Sequence, residues 1–306
     1  MISKLKTLWR VMRTVKNWVS VSMVWFIPNK EVVAVFKGGL QIKVSQKTWQ
    51  DFMRYVFFFR AFPNGEINGT DAKISYHGTN LVFDFSKRGP SILGNVVEVF
   101  SQGIYEPFLK ELNLKDRTVV DVGAALGDTA IYFALNGAKD VYAFEPTPNA
   151  YELAQKNIQR NGFEGRCHIF NAAVGKEKMD DNTEDQTFKE MFSEDPEASE
   201  YEVGKKKVPM TTLQAIVEEY KLSDSFLKMD CEGYEYDIIL NASRETLRKF
   251  EYILMEYHYG FKSLQEKLES NGFKISRTGP FEAIIDLRAS KYSKMVFGYL
   301  TARRID

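Results

Sequence analysis

Residues 118–146, TVVDVGAALGDTAIYFALNGAKDVYAFEP, bring together the residue types that a nucleoside-bearing ligand needs. An apolar run ends in Asp121-Val122-Gly123, a tight turn reaches Gly127, and a helical pattern follows. Glycines let backbone approach closely, and a helix start offers unpaired N–H groups. A second apolar run ends on Glu145 and Pro146, about 20 residues after the turn, where a carboxylate can accept both hydroxyl protons of a ribose and repel a 2′-phosphate. The spacing D-x-G-x-x-x-G departs from the G-x-G-x-x-G of dinucleotide sites, which argues against NAD.

Three later run ends carry further chemistry. Asn171-Ala172-Ala173 offers an amide that could meet an adenine edge, although Asn there also serves as a plain turn former. LKMDCEGYE, residues 227–235, places Asp230 at a crevice mouth, while Glu232 could cap the next helix. EYHYG, residues 256–260, puts His258 in the neighbouring loop, as a functional group or as a histidine bonded only to backbone.

These residues need a scaffold that collects strand ends. From residue 117 onward the pattern alternates strand and helix, with strands over 119–122, 141–144, 167–172, 226–229 and 252–255. Helices are predicted over 129–135, 149–161, 213–220, 234–241 and 263–271. Short apolar strands alternating with helices give a mostly parallel, doubly wound α/β sheet, with ligands beyond the strands' carboxyl ends. Residues 274–277, 284–287 and 295–302 read as strands with little helix between them, an antiparallel closing hairpin. Ahead of this, residues 31–99 read as a small α+β region: a strand pair turning at Gly38-Gly39, a Phe-rich helix over 50–61, and a hairpin over 73–85. A helical stretch over 91–112 breaks near Gly103. The divisions expected are an N-terminal helix (1–30), the accessory region (31–99) and the sheet domain (100–306). The acidic segment 177–207 reads as a solvated insertion, with a lid as the alternative.

The 306 residues balance 41 Lys and Arg against 41 Asp and Glu, so no net field favours nucleic acid. Two distant cysteines, Cys167 and Cys231, read as reduced thiols of a cytoplasmic protein. No run reaches the roughly 18 to 20 apolar residues that span a bilayer. Arg10, Arg13 and Lys16 interrupt any secretory apolar core. The N-terminus reads instead as one amphipathic helix, with Leu5, Leu8, Trp9, Met12, Val15 and Val19 opposite Lys6, Arg10, Arg13 and Asn17. No acidic residue precedes Glu31. Such a helix suits peripheral contact with an anionic membrane; packing on the protein body is the preferred alternative.

The ordered segments DVGAALGDTAIYFA, VYAFEP, NAAVG, LKMDCEGYE and ILMEYHYG resemble the successive motifs of FkbM-type methyltransferases, over roughly residues 100–304. The resemblance implies a Rossmann-like seven-stranded sheet, S-adenosylmethionine as cofactor and, frequently, O-methylation of a sugar or glycosylated metabolite. It implies that the methionine and ribose parts of the cofactor lie near Gly123 and Glu145, and the cofactor contacts expected are Asp121, Gly123, Ala124, Gly127, Asp128, Thr129, Glu145, Pro146, Asn171, Ala172 and Asp230. The family's first turn usually reads G-A-N-x-G, and Ala125 stands here in place of that Asn, which predicts altered local binding.

An alcohol is a weak acid, so methylating it requires a base or a metal. In one arrangement His258 is the general base and Asp230 orients it or the acceptor. In the other, Asp230, Glu232 and Glu256 hold a divalent cation. The base arrangement is preferred, and no metal ligand is assigned. Cys231 reads as a packed residue, since methyl transfer from a sulfonium needs no covalent intermediate. Two rivals share the fold: a nucleotide-dependent oxidoreductase and a cofactor-binding module without turnover.

Overall fold

A computed structural model describes residues 2–109, 112–177, 208–282 and 296–305. The chain divides into two compact units, Met1–Pro107 and Phe108–Asp306. The predicted strand at 284–287 and, apart from Glu177, the acidic insertion lie outside the described residues.

In the first unit, helices α1 (Ile2–Thr14) and α2 (Trp18–Ser22) precede an antiparallel pair, β1 (Val32–Val35) and β2 (Gln41–Val44). Helix α3 (Trp49–Ala61) leads to a meander of β3 (Glu66–Asn68), β4 (Asp71–Tyr76) and β5 (Thr79–Asp84). Helix α4 (Ile92–Val97) runs into a π-turn over Glu98–Gln102, which Gly103 ends in the left-handed conformation, and α5 covers Glu106–Leu109. The single N-terminal helix expected from the sequence is broken after Thr14, where Val15 bridges to Phe36. The buried residues also differ from the predicted stripe. Val11, Val15 and Val21 join Phe36, Phe52 and Val56 in the core, while Leu5, Trp9, Met12 and Val19 remain exposed. Small β-branched side chains on both sides of the break, not the large ones, share the core with Phe36.

The second unit is a seven-stranded sheet. Its strands are β6 (Thr118–Val122), β7 (Asp140–Phe144), β8 (Cys167–Phe170), β11 (Ser225–Met229), β12 (Phe250–Tyr257), β13 (Phe273–Arg277) and β15 (Val296–Arg304), in the order β13-β15-β12-β11-β6-β7-β8. The five from β8 to β12 are parallel. Strand β15 runs antiparallel between β12 and β13, and β14 (Phe281–Glu282) pairs with it. The run predicted over 167–172 stops at Phe170; Ala173–Gly175 forms a separate β9, parallel to β10 (Met210–Thr212).

Central strands covered on both faces become continuous apolar runs. All five residues of β11 are buried, Lys228 among them. Helices α6 (Asp128–Leu135), α7 (Pro148–Arg160), α8 (Leu213–Glu219), α9 (Glu235–Asn241), α10 (Arg244–Leu247) and α11 (Lys262–Ser270) make the connections. Pro148 opens α7, where its missing N–H costs nothing. Thr212 caps α8 by accepting from the Ala215 amide at 3.1 Å. The chain winds outward from β6 to β8, then returns to build β11 and β12 on the other side. Gly123 and Asp230 therefore flank the point where strand order reverses, the place at which such sheets bind ligands.

Candidate active site

Strand β6 leads into a turn that only particular residues can make. Gly123 has φ +82°, and a Cβ there would lie 1.8 Å from the Asp230 carbonyl oxygen. Gly127 has φ +77°, with Ala154 of α7 at 3.3 Å from the Cβ position. Both glycines thus serve close approach of protein to protein, in addition to any approach to a ligand. The Gly123 and Ala124 amides donate to the Phe144 carbonyl at 3.0 and 3.1 Å, tying the turn to the end of β7.

Glu145 continues that tie. Its Oε2 accepts from the Ala125 amide at 2.9 Å and its Oε1 from the Thr147 amide at 2.7 Å. These two bonds hold the carboxylate at the strand tip beside the turn. Asn171 Nδ2 donates to the carbonyls of Glu145 and Pro146 at 3.0 and 2.9 Å, which locks the tip of β8 to that of β7 and leaves its Oδ1 as the acceptor. Ala125 has φ +44°, a left-handed conformation in which Asn is favoured and Ala is not. The departure at this position has a backbone meaning that the sequence reading did not anticipate.

Beneath the turn lies a buried charge network. Lys228 Nζ sits 3.0 Å from Asp121 Oδ1 and donates to the Gly123 carbonyl at 2.8 Å, while Thr129 Oγ1 donates to Asp121 Oδ2. Asp121, Asp128 and Thr129 are at most 5% exposed. All three are expected cofactor contacts; here Asp121 and Thr129 are hydrogen-bonded to each other beneath the turn, and both Asp128 carboxylate oxygens are buried without a hydrogen-bond partner among the described residues. Burial, and then the charge of Asp121, push the Asp128 carboxyl up to about 7 against the pull of Lys228. Burial lowers the Lys228 ammonium, but Asp121 and Asp230 more than restore it, so it stays charged.

At the mouth, Asp230, Glu232 and His258 offer ligand atoms that all lie within 4.8 Å of one another. His258 Nε2 is 3.4 Å from Glu232 Oε2 and 3.9 Å from Asp230 Oδ1. Its other nitrogen, Nδ1, lies 3.0 Å from Glu235 Oε1, which also accepts from the His258 backbone amide at 3.0 Å. Glu235 is fully buried, and its Oε2 accepts from the Gly233 amide at 2.8 Å. Tyr236 donates to the Gly260 carbonyl and accepts from the Tyr259 amide, pinning the same loop to α9.

Burial works against charge on His258, but the hydrogen bond and charge of Glu235, then Glu232 and Asp230, outweigh it and raise the imidazole to about 9. Burial and the charge of Asp230 push the Glu256 carboxyl up to about 8, with His258 opposing. The Cys231 thiol is driven well above its ordinary value by burial and by Glu235, which suits a packed residue and not a nucleophile.

The structure therefore gathers Gly123, Ala124, Glu145, Pro146, Asn171, Ala172 and Asp230 along adjacent strand ends, with His258 beside Asp230. Two residues escaped the sequence reading. Lys228 interrupts an apolar run as Asp121 interrupts its neighbour, and the two are paired in register across β6 and β11; that double interruption was the available signal. Glu235 carried none, since an acidic residue in a helix's first turn is ordinary.

Residues 121–275 match the methyltransferase FkbM domain. Among solved structures, the chain is similar to the M. jannaschii tRNA m1G37 methyltransferase, with 17% identity, 78% of this chain and 58% of that chain covered, and a TM-score of 0.42. It is also similar to M. jannaschii TYW2 in complex with AdoMet, with 16% identity, coverage of 78% and 89%, and a TM-score of 0.40. A putative rRNA-methylase from Clostridium thermocellum shares 13% identity, with coverage of 67% and 96% and a TM-score of 0.43. The family match extends over just over half of the 306 residues, and the protein belongs to the FkbM methyltransferases, which take their methyl group from S-adenosylmethionine.

Proposed function

We propose that this methyltransferase acts on oxygen, methylating a hydroxyl of a sugar, glycan or glycolipid. The observation that carries this reading is the Asp230–Glu232–Glu256–His258 cluster at the strand ends next to the Gly123 turn. A hydroxyl must lose a proton as it attacks, and this cluster supplies several acceptors beside the crevice. The balanced charge of the chain supports an acceptor that is not a nucleic acid.

The residues fit the cofactor. Gly123, Ala124 and Gly127 form the turn, Glu145 would hold the ribose, and Asn171 keeps an acceptor oxygen for an adenine amine. Pro146, Ala172 and Asp230 would line the remaining wall, and Asp121, Asp128 and Thr129 would keep the turn in shape. The bound sulfonium supplies an activated methyl group: its C–S bond breaks as the C–O bond forms. His258, protonated below about pH 9 and held by Glu235, orients the acceptor oxygen. The hydroxyl proton passes to Asp230. This division of labour differs from a histidine base, because the carboxylates around His258 hold its proton in place.

Membrane contact through the N-terminal unit is the second part of the reading, for a protein of the cytoplasm. Leu5, Trp9, Val19 and Phe26 are exposed, Phe26 at 77%. The guanidinium carbons of Arg13 and Arg60 stack on the Trp9 ring at 4.8 and 5.1 Å. Apolar side chains ringed by arginines suit an anionic bilayer surface. Among the described residues no helix is long and apolar enough to cross a membrane.

One experiment tests the whole reading. Labelled S-adenosylmethionine is offered with free glycans, a glycolipid in anionic vesicles, and RNA, after calorimetry of cofactor binding. Binding tighter than tens of micromolar is expected, falling at least about tenfold in Glu145→Ala. Label should appear on glycan or glycolipid oxygen, and Phe26→Ser should lower transfer only from vesicles. Label on RNA alone would sink the acceptor assignment, and an unaltered Phe26→Ser rate would sink the membrane contact.

A further inference from the structure

Resting on the methyl-transfer reading, we infer that Asp230, Glu232 and His258 form a binding site for a first-row divalent cation, manganese or zinc. The ligand set differs from the carboxylate trio that sequence spacing suggested, with the imidazole in place of Glu256.

The imidazole is the first argument. His258 is 4% exposed, and its orientation is fixed because one Glu235 oxygen takes both its Nδ1 and its backbone amide. A buried carboxylate on the far nitrogen of an imidazole is the arrangement that sets the tautomer and aim of metal-binding histidines. Nε2 is thereby directed between Glu232 and Asp230 and cannot swing away from them.

Distance is the second argument. A charged imidazole and carboxylate that simply pair would close to about 2.7–2.9 Å. Here the separations are 3.4 and 3.9 Å. Two donors each about 2.1 Å from one ion at a tetrahedral angle stand about 3.4 Å apart. The His258–Glu232 pair, at 3.4 Å, has that spacing, the His258–Asp230 pair, at 3.9 Å, is wider, and all three atoms lie within 4.8 Å of one another, close enough to meet one ion. One nitrogen with two carboxylate oxygens favours manganese or zinc over magnesium, which takes oxygen almost exclusively.

Asp230 and Glu232 are reachable from solvent, at 35% and 65% side-chain exposure, so an ion can enter and keep open positions for an acceptor oxygen. An ion at this point would displace the Nε2 proton of His258 and polarise the hydroxyl, which would then lose its proton to solvent. With the ion bound, Asp230 and His258 would act on the acceptor through it, in place of the direct contacts they make in the ion-free arrangement above.

The test uses the full chain stripped with chelator. Mn²⁺ is titrated and followed by electron paramagnetic resonance, and Zn²⁺ by calorimetry, with S-adenosylmethionine titrated separately. One site of micromolar affinity is expected, with nitrogen coupling from an imidazole in the bound-manganese spectrum. Glu232→Gln, at an exposed position that should not disturb folding, should weaken both ions about tenfold or more, and His258→Ala should also abolish the nitrogen coupling. Wild-type binding no tighter than millimolar, or binding unchanged in both variants, overturns the site. Ion binding as described without S-adenosylmethionine binding would leave the cation site standing and defeat the methyl-transfer reading; the converse pattern would do the opposite.

Discussion

Two groups of acidic residues flank the same turn, and they are built on opposite principles. Below it, Asp121 and Asp128 are sealed from solvent; Lys228 answers the charge of Asp121, while both Asp128 carboxylate oxygens lack a hydrogen-bond partner among the described residues. Above it, Asp230 and Glu232 stand beside the buried imidazole of His258, and both of these carboxylates open to solvent. A closed network with its own cation supports structure. An open one, with carboxylates facing solvent, is accessible to a ligand. The Gly123 carbonyl accepts from Lys228 below, and the bare Gly123 Cα meets the Asp230 carbonyl above, so one residue couples the two.

The sharpest way to break this contrast is Lys228→Met. The side chain keeps its approximate volume and loses its charge, leaving the buried Asp121 carboxylate without its cation and the Gly123 carbonyl without its donor. Removing one member of a buried pair costs about 3–5 kcal/mol. Urea denaturation should show a loss of that size, whereas Glu232→Gln at the mouth should change stability by less than about 0.5 kcal/mol. Equal losses for the two variants would erase the distinction between a structural and a ligand-seeking cluster.

A smaller effect separates the two groups by pH. Asp128 has a carboxyl raised from 3.8 to about 7, so between those values the folded protein keeps a proton that the unfolded chain has released. The unfolded state binds fewer protons there, and stability must fall as pH rises through that window. The full penalty applies above about pH 7 and is at most about 4 kcal/mol, from three pKa units at about 1.4 kcal/mol each. Asp128→Asn should remove this slope, gaining on the wild type as pH climbs from 4 to 8 and matching it near pH 4. Parallel stability curves for the two proteins would show that Asp128 carries no such strain.

The contrast also explains what was legible in the sequence. Strands of the sheet announced themselves as apolar runs, because both faces of a central parallel strand are covered. The glycine turn and Glu145 were readable for the same reason: only particular residues tolerate those backbone angles and that position at a strand tip. The mouth cluster was half readable. Asp230 and His258 stand at strand ends, but that Glu235 holds His258 depends on how α9 packs, which no spacing encodes. Short pairings such as β9 with β10 were lost because three residues carry too little pattern to register. The N-terminal helix misled because Trp9 and Leu5 look like core residues by composition, and the structure fills its core with valines instead.

The smallest effect concerns Ala125, where the turn carries a residue that its conformation does not favour. An Ala at φ +44° pays for the Cβ crowding that glycine avoids and that Asn relieves by local hydrogen bonding. The Ala125 amide already holds the Glu145 carboxylate, so substitution leaves that contact in place. The position is also partly exposed, giving a larger side chain room. Ala125→Asn should therefore stabilise the protein by about 0.5–1 kcal/mol, seen as a higher urea midpoint with an unchanged slope. If the amide serves backbone geometry alone, affinity for S-adenosylmethionine should move by less than about twofold. A gain of tenfold in affinity without added stability would instead place that side chain against the cofactor, and the residue that this chain lacks would count as a ligand contact and not as a turn former.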